Sequence, residues 1–184
     1  MTDFQILAIP GSLRIGSFNR RLLEELARLA PIGFSVSIFD RVEEIPLFNE
    51  DLEAAPCASV LRLWSQVAAS DGLVIATPEY NQGIAAVTKN LVDWLSRDPK
   101  HALQSKPVAV TGATVGKTGT RLAQQQLRSV LSICGALLVP EFMYIAKASH
   151  DEFDNAILSS FMEAVAKWIH KLSERDHPIS EQMK

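Results

Sequence analysis

The stretch Ile9-Pro-Gly-Ser-Leu-Arg-Ile-Gly-Ser-Phe-Asn-Arg20 decides how this chain is organised. Before it, the apolar run from Phe4 to Ile9 predicts a buried strand. After it, apolar residues at helical spacing predict a helix from about Ser17. Such a junction gathers free backbone N–H groups and the positive end of the helix dipole at one point. The loop is therefore typical of a phosphate site, to which the Ser12 hydroxyl and the Arg14 guanidinium add donors.

The residues of this loop alone leave a second interpretation open. Gly11 and Gly16 are ordinary turn residues, and Ser17 is an ordinary helix cap. On this interpretation Arg14 is a solvated surface charge. The glycine spacing matches neither a Walker motif nor the dinucleotide-binding pattern G-x-G-x-x-G. The choice between a phosphate site and a plain turn therefore depends on the rest of the chain.

Composition indicates an ordinary globular protein. The chain has 184 residues, of which 47% are hydrophobic and 21% charged, with a net charge of −3. We expect one domain over residues 1–184, with a polar tail from about 174. The charge offers no attraction to nucleic acid, and no apolar run is long enough to cross a membrane. The N-terminus lacks a basic segment followed by an apolar one, so we expect a cytoplasmic protein.

Cysteine and histidine are sparse and give no metal-binding pattern. Cys57 and Cys134 do not form a disulfide framework, and neither has a nearby cysteine or histidine. The four histidines lack the spacing of metal ligands, at positions His101, His150, His170 and His177. We predict no structural or catalytic metal.

Strand and helix patterns alternate five times along the chain. Strands are predicted at 4–9, 34–38, 72–77, 107–111 and 137–145, the last broken at Pro140, with helices through 18–30, 60–68, 84–95, 123–134 and 157–172. This alternation predicts an open parallel sheet with helices on both faces. The loops at 10–17, 78–83 and 112–120 each follow a strand. They therefore meet at the carboxyl edge of the sheet, where such folds bind ligands.

Three loops at one edge favour a mononucleotide site. If the first loop holds a phosphate, the second and third can hold a flavin, with Tyr80 as a stacking face and the backbone from Glu79 to Gly83 as donors. Taken alone, the sequence Pro78-Glu-Tyr-Asn81 is equally well explained by a turn with a helix cap. Its position beside the first loop favours the ligand.

Two motifs in order carry a resemblance to a known family. The first is Gly11-Ser-Leu-Arg-Ile-Gly-Ser-Phe-Asn19. The second is Thr77-Pro-Glu-Tyr-Asn81, followed by Lys89-Asn90 and by Asp93-Trp-Leu-Ser-Arg97. Together they resemble the NADPH-dependent FMN reductases, above all the soluble quinone, azo-dye and chromate reductases, over residues 4 to about 170. The resemblance implies a flavodoxin-like, three-layer, doubly wound fold. It also implies a five-stranded parallel sheet of order 2-1-3-4-5 and one non-covalent FMN.

The resemblance also implies which residues bind the cofactor. The first loop would hold the phosphate, the second would line the isoalloxazine ring, and the third would close the opposite edge. By position these residues are Ser12, Arg14, Ser17, Phe18 and Asn19, then Pro78, Glu79, Tyr80 and Asn81, then Thr114 and Gly116. We assign no catalytic side chain, because the chemistry belongs to flavin N5. Glu79 is expected to contribute its backbone.

Two stretches differ from the usual pattern of that family. Relatives usually have Pro-Gly-Gly before the Lys-Asn pair, where this chain has Ala85-Ala86-Val87-Thr88. They often have paired glycines where it has Gly119-Thr120. Neither stretch belongs to the phosphate loop, so we expect both to affect the shape of the ring pocket.

The resemblance implies an NAD(P)H-dependent oxidoreductase with ping-pong kinetics. NADPH or NADH would reduce the flavin, which would then reduce a small-molecule oxidant: a quinone, an azo compound, a metal oxyanion such as chromate, or free flavin. The competing interpretation is a non-catalytic FMN-binding electron carrier or sensor of the flavodoxin type. Such carriers are usually strongly acidic and lack an arginine in the phosphate loop. The net charge of −3 and Arg14 therefore favour the enzyme.

The second and third predicted helices carry more apolar residues than one packed face needs. These are Val60, Leu61, Leu63, Trp64, Val67 and Ala68, and Ile84, Val87, Leu91, Val92, Trp94 and Leu95. The surplus predicts a dimer, or a tetramer, with the flavin site beside the interface. The family resemblance implies the same. The alternative is that loops 40–56 and 97–106 cover the surplus within one chain.

Overall fold

Five α-helices and eight strands alternate in residues 4–149 and 153–176, the part of the chain that the computed structural model describes. The strands are Phe4–Pro10 (β1), Phe34–Ile38 (β2), Gly72–Ala76 (β3), Glu79–Tyr80 (β4), Gly83–Ile84 (β5), Pro107–Ala113 (β6), Leu137–Leu138 (β7) and Met143–Ile145 (β8). The helices are Phe18–Arg28 (α1), Ala58–Ala69 (α2), Ala86–Ser96 (α3), Arg121–Ile133 (α4) and Asn155–Asp176 (α5).

The main sheet is parallel, with strand order β2-β1-β3-β6-β7, and β8 also pairs with β6. This confirms the flavodoxin-like order 2-1-3-4-5, but the predicted fifth strand is two short strands. Leu137 and Leu138 pair with the start of β6, and Met143–Ile145 pair with its end. Pro140 lies in the gap, where a residue without an N–H group interrupts the ladder. The sheet therefore has six strands among the described residues.

Two hydrophobic cores lie on the two faces of this sheet. Side chains of alternate strand residues point to opposite faces. Leu7 and Ile9 of β1 therefore pack with α2, α3 and α4, whereas Ile6 and Ala8 pack with α1 and α5. Every residue of β3 and β6 is buried, as expected for central parallel strands covered on both faces. The result is the predicted three-layer architecture.

Two element boundaries differ from the sequence prediction. Helix α3 begins at Ala86, and Ile84, which was predicted to lie in this helix, belongs to the short hairpin β4–β5. Helix α5 continues to Asp176, although the polar tail was predicted from about 174. The rest of that predicted tail, 177–184, lies outside the described residues.

The chain itself covers much of the apolar surplus on α2 and α3. Trp64 Nε1 donates to the Trp94 carbonyl at 2.7 Å, and Trp94 Nε1 donates to the Pro46 carbonyl at 2.8 Å. The Phe48 ring packs edge-on against Trp94, with ring centroids 5.2 Å apart, and Leu103 is buried in the same core. The contacts of Pro46, Phe48 and Leu103 come from segments 40–56 and 97–106, whereas Leu61 and Ala68 of α2 remain exposed, so the chain covers the surplus in part.

Candidate functional site

A cavity of about 280 Å³ lies where the loops after β1, β3 and β6 meet. It brings together every predicted cofactor-binding residue except Asn81 and Gly116. The lining residues are Ser12, Arg14, Ser17, Phe18, Asn19, Pro78, Glu79, Tyr80, Ala113, Thr114 and Val115. The three loops therefore form one site at the carboxyl edge of the sheet, as the strand order requires.

The first loop is held by its own polar groups. Ser17 caps α1, because its Oγ accepts from Arg20 N at 3.4 Å, while Ser17 N donates to the Arg14 carbonyl at 3.0 Å. The Arg14 guanidinium donates from Nη2 to the Gly16 carbonyl at 2.6 Å and lies 5.1 Å from the centroid of the Phe18 ring. Arg14 therefore remains on the loop as an exposed positive charge beside the cavity.

The backbone of this loop offers unused donors. Within 4–149 and 153–176, the N–H groups of Leu13, Ile15 and Gly16 make no hydrogen bond. The first turn of α1 contains no acidic residue that would neutralise the positive end of its dipole. Free N–H groups ahead of such a helix bind anions, and phosphate in particular.

Asn19 has a role in holding the fold together that the sequence prediction did not assign to it. Its amide is buried, donating from Nδ2 to the Ala113 carbonyl at 3.1 Å and accepting from Ala113 N at 2.9 Å. This pair joins α1 to the end of β6. A role of Asn19 at a phosphate stays a prediction, and one donor and one acceptor of its side-chain amide are already used.

Two glycines allow the three loops to approach one another. A side chain at Gly11 would overlap the Thr88 hydroxyl, and one at Gly112 would overlap the Thr77 carbonyl and the Thr120 hydroxyl. Thr88 Oγ1 lies 3.1 Å from Thr77 Oγ1 and donates to the Gly11 carbonyl at 3.3 Å. Sequence reasoning missed this link, because Thr88 lies inside a helix, eleven residues beyond Thr77.

The second loop is the antiparallel hairpin β4–β5. Tyr80 pairs with Gly83 across a two-residue turn, in which Asn81 and Gln82 have φ of 50° and 61°. Positive φ at both positions is what the type I′ turn of a tight hairpin requires. Asn81 therefore sits at the hairpin tip, outside the cavity lining, whereas Tyr80 forms a wall with 57% of its surface exposed. Cofactor binding by Asn81 stays a prediction.

The third loop contributes Thr114 and also two residues that the sequence did not indicate, Ala113 and Val115. Gly116 N donates to Thr114 Oγ1 at 3.3 Å, and the Gly116 carbonyl accepts from Lys147 N at 2.8 Å. Gly116 thus shapes the loop outside the cavity lining, and its contact with a cofactor stays a prediction. A glycine-rich loop gives no local signal as to which of its neighbours face inward.

Glu79 uses its side chain, which the sequence prediction did not expect. Its carboxylate accepts hydrogen bonds from Leu122 N and Ala123 N, at the start of α4. The sequence alone does not show this pairing, because 43 positions separate Glu79 from Leu122 and only the fold brings them together.

In residues 4–149 and 153–176, no group of three histidine, cysteine or acidic side chains is placed to hold a metal ion. His150 and His177 lie outside these ranges, so the prediction of no metal stays a prediction. Both cysteines are free thiols. No described helix is long and apolar enough to cross a bilayer.

Comparison with known proteins gives consistent matches. Residues 4–150 match the profile of the NADPH-dependent FMN reductases. The chain is 37% identical over 182 residues to an NAD(P)H-dependent FMN reductase of Pseudomonas aeruginosa, covering 92% of this chain and 97% of that one. It is 38% identical over 144 residues to a quinone reductase of Escherichia coli, covering 76% of each. FerB, a flavoenzyme NAD(P)H:(acceptor) oxidoreductase from Paracoccus denitrificans, superposes with a TM-score of 0.83 at 30% identity, covering 91% of this chain and 98% of that one.

Proposed function

Because this chain belongs to the NADPH-dependent FMN reductase family, we propose that the cavity between its three loops binds FMN and that its oxidant is a quinone. The chain is an oxidoreductase of this family, with FMN as cofactor and NAD(P)H as electron donor. The convergence of the phosphate-type loop, the hairpin wall and the third loop on one cavity supports this assignment. We treat residues 1–184 as one FMN-binding domain.

The first loop fits a phosphate. Ahead of α1, the N–H groups of Leu13, Ile15 and Gly16 have no hydrogen-bond partner in the described part of the chain. The Arg14 guanidinium, which borders the cavity, adds a charge-assisted donor. The helix dipole and this arginine both favour a dianionic group over a neutral one.

The second and third loops fit the flavin ring. The Tyr80 side chain offers an aromatic face at the cavity wall, and Thr114 and Val115 border the cavity from the third loop. When bound, FMN supplies the hydride chemistry, in a ping-pong order in which NAD(P)H leaves before the oxidant binds. The chain's own contribution is to position the ring and to direct backbone dipoles at it.

The cavity volume of about 280 Å³ lies at the lower limit of ligand sites, which commonly span about 300–1,000 Å³. We propose that a cofactor bound there would keep one side exposed. That exposure suits a reaction in which NAD(P)H and an oxidant use the same face in turn.

No described side chain at the cavity is set up as an acid or base. The Glu79 carboxylate is engaged by the backbone of α4. The Tyr80 hydroxyl has no hydrogen-bond partner among the residues that the structure covers. We therefore assign no proton donor among these side chains and propose that protons come from solvent.

The test is a steady-state assay of the FMN-loaded protein. NADPH or NADH oxidation is followed with and without a benzoquinone, beside an azo dye, chromate and free FMN as competing oxidants. We expect rapid turnover with the quinone and parallel double-reciprocal plots, as ping-pong kinetics require. Negligible NAD(P)H oxidation with every oxidant would instead identify a carrier or sensor of the flavodoxin type. A cytoplasmic location stays a prediction.

A further inference from the structure

The carboxylate of Glu79 caps the N-terminus of α4, a helix that is distant from Glu79 in the sequence. Its Oε2 accepts hydrogen bonds from Leu122 N at 2.8 Å and from Ala123 N at 3.0 Å. Leu122 and Ala123 are the second and third residues of α4. At these positions of a helix, the side chain of the N-cap residue normally accepts a hydrogen bond from a backbone N–H group. Glu79, which belongs to the hairpin, therefore acts as the N-terminal cap of α4.

Thr120 occupies the N-cap position of α4 but makes no capping bond. Its Oγ1 is fully buried and accepts from Gln124 Nε2 at 3.0 Å. The first turn of α4 also contains no acidic residue. The N-terminus of α4 therefore depends on Glu79, whose negative charge is favoured by the positive end of the helix dipole.

The same helix holds the other strand of the hairpin. Gln126 Oε1 accepts from Ile84 N at 3.2 Å, and Gln126 Nε2 donates to the Gln82 carbonyl at 3.2 Å. A hairpin with two residues in each strand is not stable by itself. Its orientation is consequently set by Glu79 and Gln126.

We propose that Glu79 is a positioning residue, which clamps the hairpin to α4 and thereby fixes the wall against which the flavin ring binds. The proposal rests on the proposed function. Because Glu79 also borders the cavity, its charge opposes electron uptake by the ring and holds the reduction potential of bound FMN down. Glu79 thus affects flavin binding through the position of the hairpin, and it affects the reduction potential of FMN through its charge.

The first arm of the test needs no flavin. In the flavin-free protein, Glu79→Ala removes the acceptor of two α4 amides. Hydrogen exchange at Leu122, Ala123 and the hairpin 79–84 should then become at least about tenfold faster. Glu163→Gln is the control, since Glu163 is exposed on α5 and has no described partner. Exchange rates in Glu79→Ala that equal those of Glu163→Gln would overturn the clamp.

The second arm uses FMN and riboflavin titrations. Glu79→Ala should raise the dissociation constants of both flavins by the same factor, about tenfold, because the wall contacts the ring. Glu79→Gln keeps an acceptor oxygen, so its dissociation constants should change by less than about threefold. The midpoint potential of FMN bound to the Glu79→Gln variant should nevertheless become more positive, because the negative charge of the carboxylate has been removed. Gln126→Leu should weaken both flavins without moving the potential.

The outcomes separate the two proposals. A loss confined to FMN, or a Glu79→Gln potential equal to that of the Glu163→Gln control, would overturn the role of Glu79. A wild-type protein that binds neither flavin would overturn the proposed function and with it the wall. The exchange measurement would still decide whether the clamp exists.

Discussion

Arg14 carries the charge that distinguishes the phosphate end of the proposed site from the ring end. Its guanidinium is held on the loop by the Gly16 carbonyl and borders the cavity. Arg14→Ala should weaken FMN by about 1.5–3 kcal/mol, or roughly ten- to hundredfold, and leave riboflavin almost unchanged. Fluorescence titration with the two flavins measures this, with Arg28→Ala on α1 as control. Equal loss for both flavins would contradict the phosphate assignment.

Tyr80 is the side chain most suited to stack on a flavin. Its ring lines the cavity and its hydroxyl has no partner among the described residues. Tyr80→Phe should leave kcat within about twofold, and Tyr80→Ser should raise the FMN dissociation constant up to about tenfold, because stacking needs only the ring. Steady-state kinetics of both variants check this. A collapse of turnover in Tyr80→Phe, with FMN still bound, would show that the hydroxyl transfers a proton.

At the scale of elements, α3 is tied to the strand ends beneath the site through one buried hydroxyl. Thr88 of α3 bonds to the Gly11 carbonyl and contacts the Thr77 hydroxyl. Thr88→Val keeps the shape but removes the donor to the buried Gly11 carbonyl, while the Thr77 hydroxyl keeps its bond to the Pro78 carbonyl. The free energy of unfolding should therefore fall by about 1–2 kcal/mol.

Urea denaturation measures this change as a lower midpoint with an unchanged slope. Thr118→Val, on an exposed stretch of the third loop, is the matched control and should be nearly neutral. If Thr88→Val were as stable as the control, the hydroxyl link would have no energetic role.

At the scale of the whole molecule, three exposed apolar side chains lie on the loops that form the proposed site. Leu13 and Ile15 belong to the first loop and Val115 to the third, and Ile15 is 97% exposed. Exposed apolar side chains beside a site are typical of an interface. These three side chains support the prediction of a dimer or tetramer with the site at its boundary.

Light scattering at micromolar concentration should therefore give at least twice the chain mass of 20.2 kDa. Ile15→Glu should reduce the mass toward that of one chain, because a charge cannot be buried without a partner. Ile32→Glu, at an equally exposed isoleucine between α1 and β2, should leave the mass unchanged. A monomeric wild-type protein with full reductase activity would refute the prediction.

The sequence by itself determined the layered parallel sheet and the edge at which the three loops meet, whereas the strand order was implied by the family resemblance. Buried strands and amphipathic helices repeat at short, fixed periods, so their signal is local. Parallel connections then leave few topologies to choose from. The phosphate-type loop could be recognised for the same reason, since Gly11 to Ser17 combine strand end, turn and helix cap within seven consecutive residues.

Only the tertiary structure decided the features that join distant segments. The hairpin replaces the predicted start of α3 because Gln126 and Glu79 bind it to α4. Pro46 and Phe48 cover Trp94 from more than 45 positions away. No window of sequence contains both partners of such a contact. Their geometry is set when the helices pack on the sheet, and the residue types alone are compatible with other pairings.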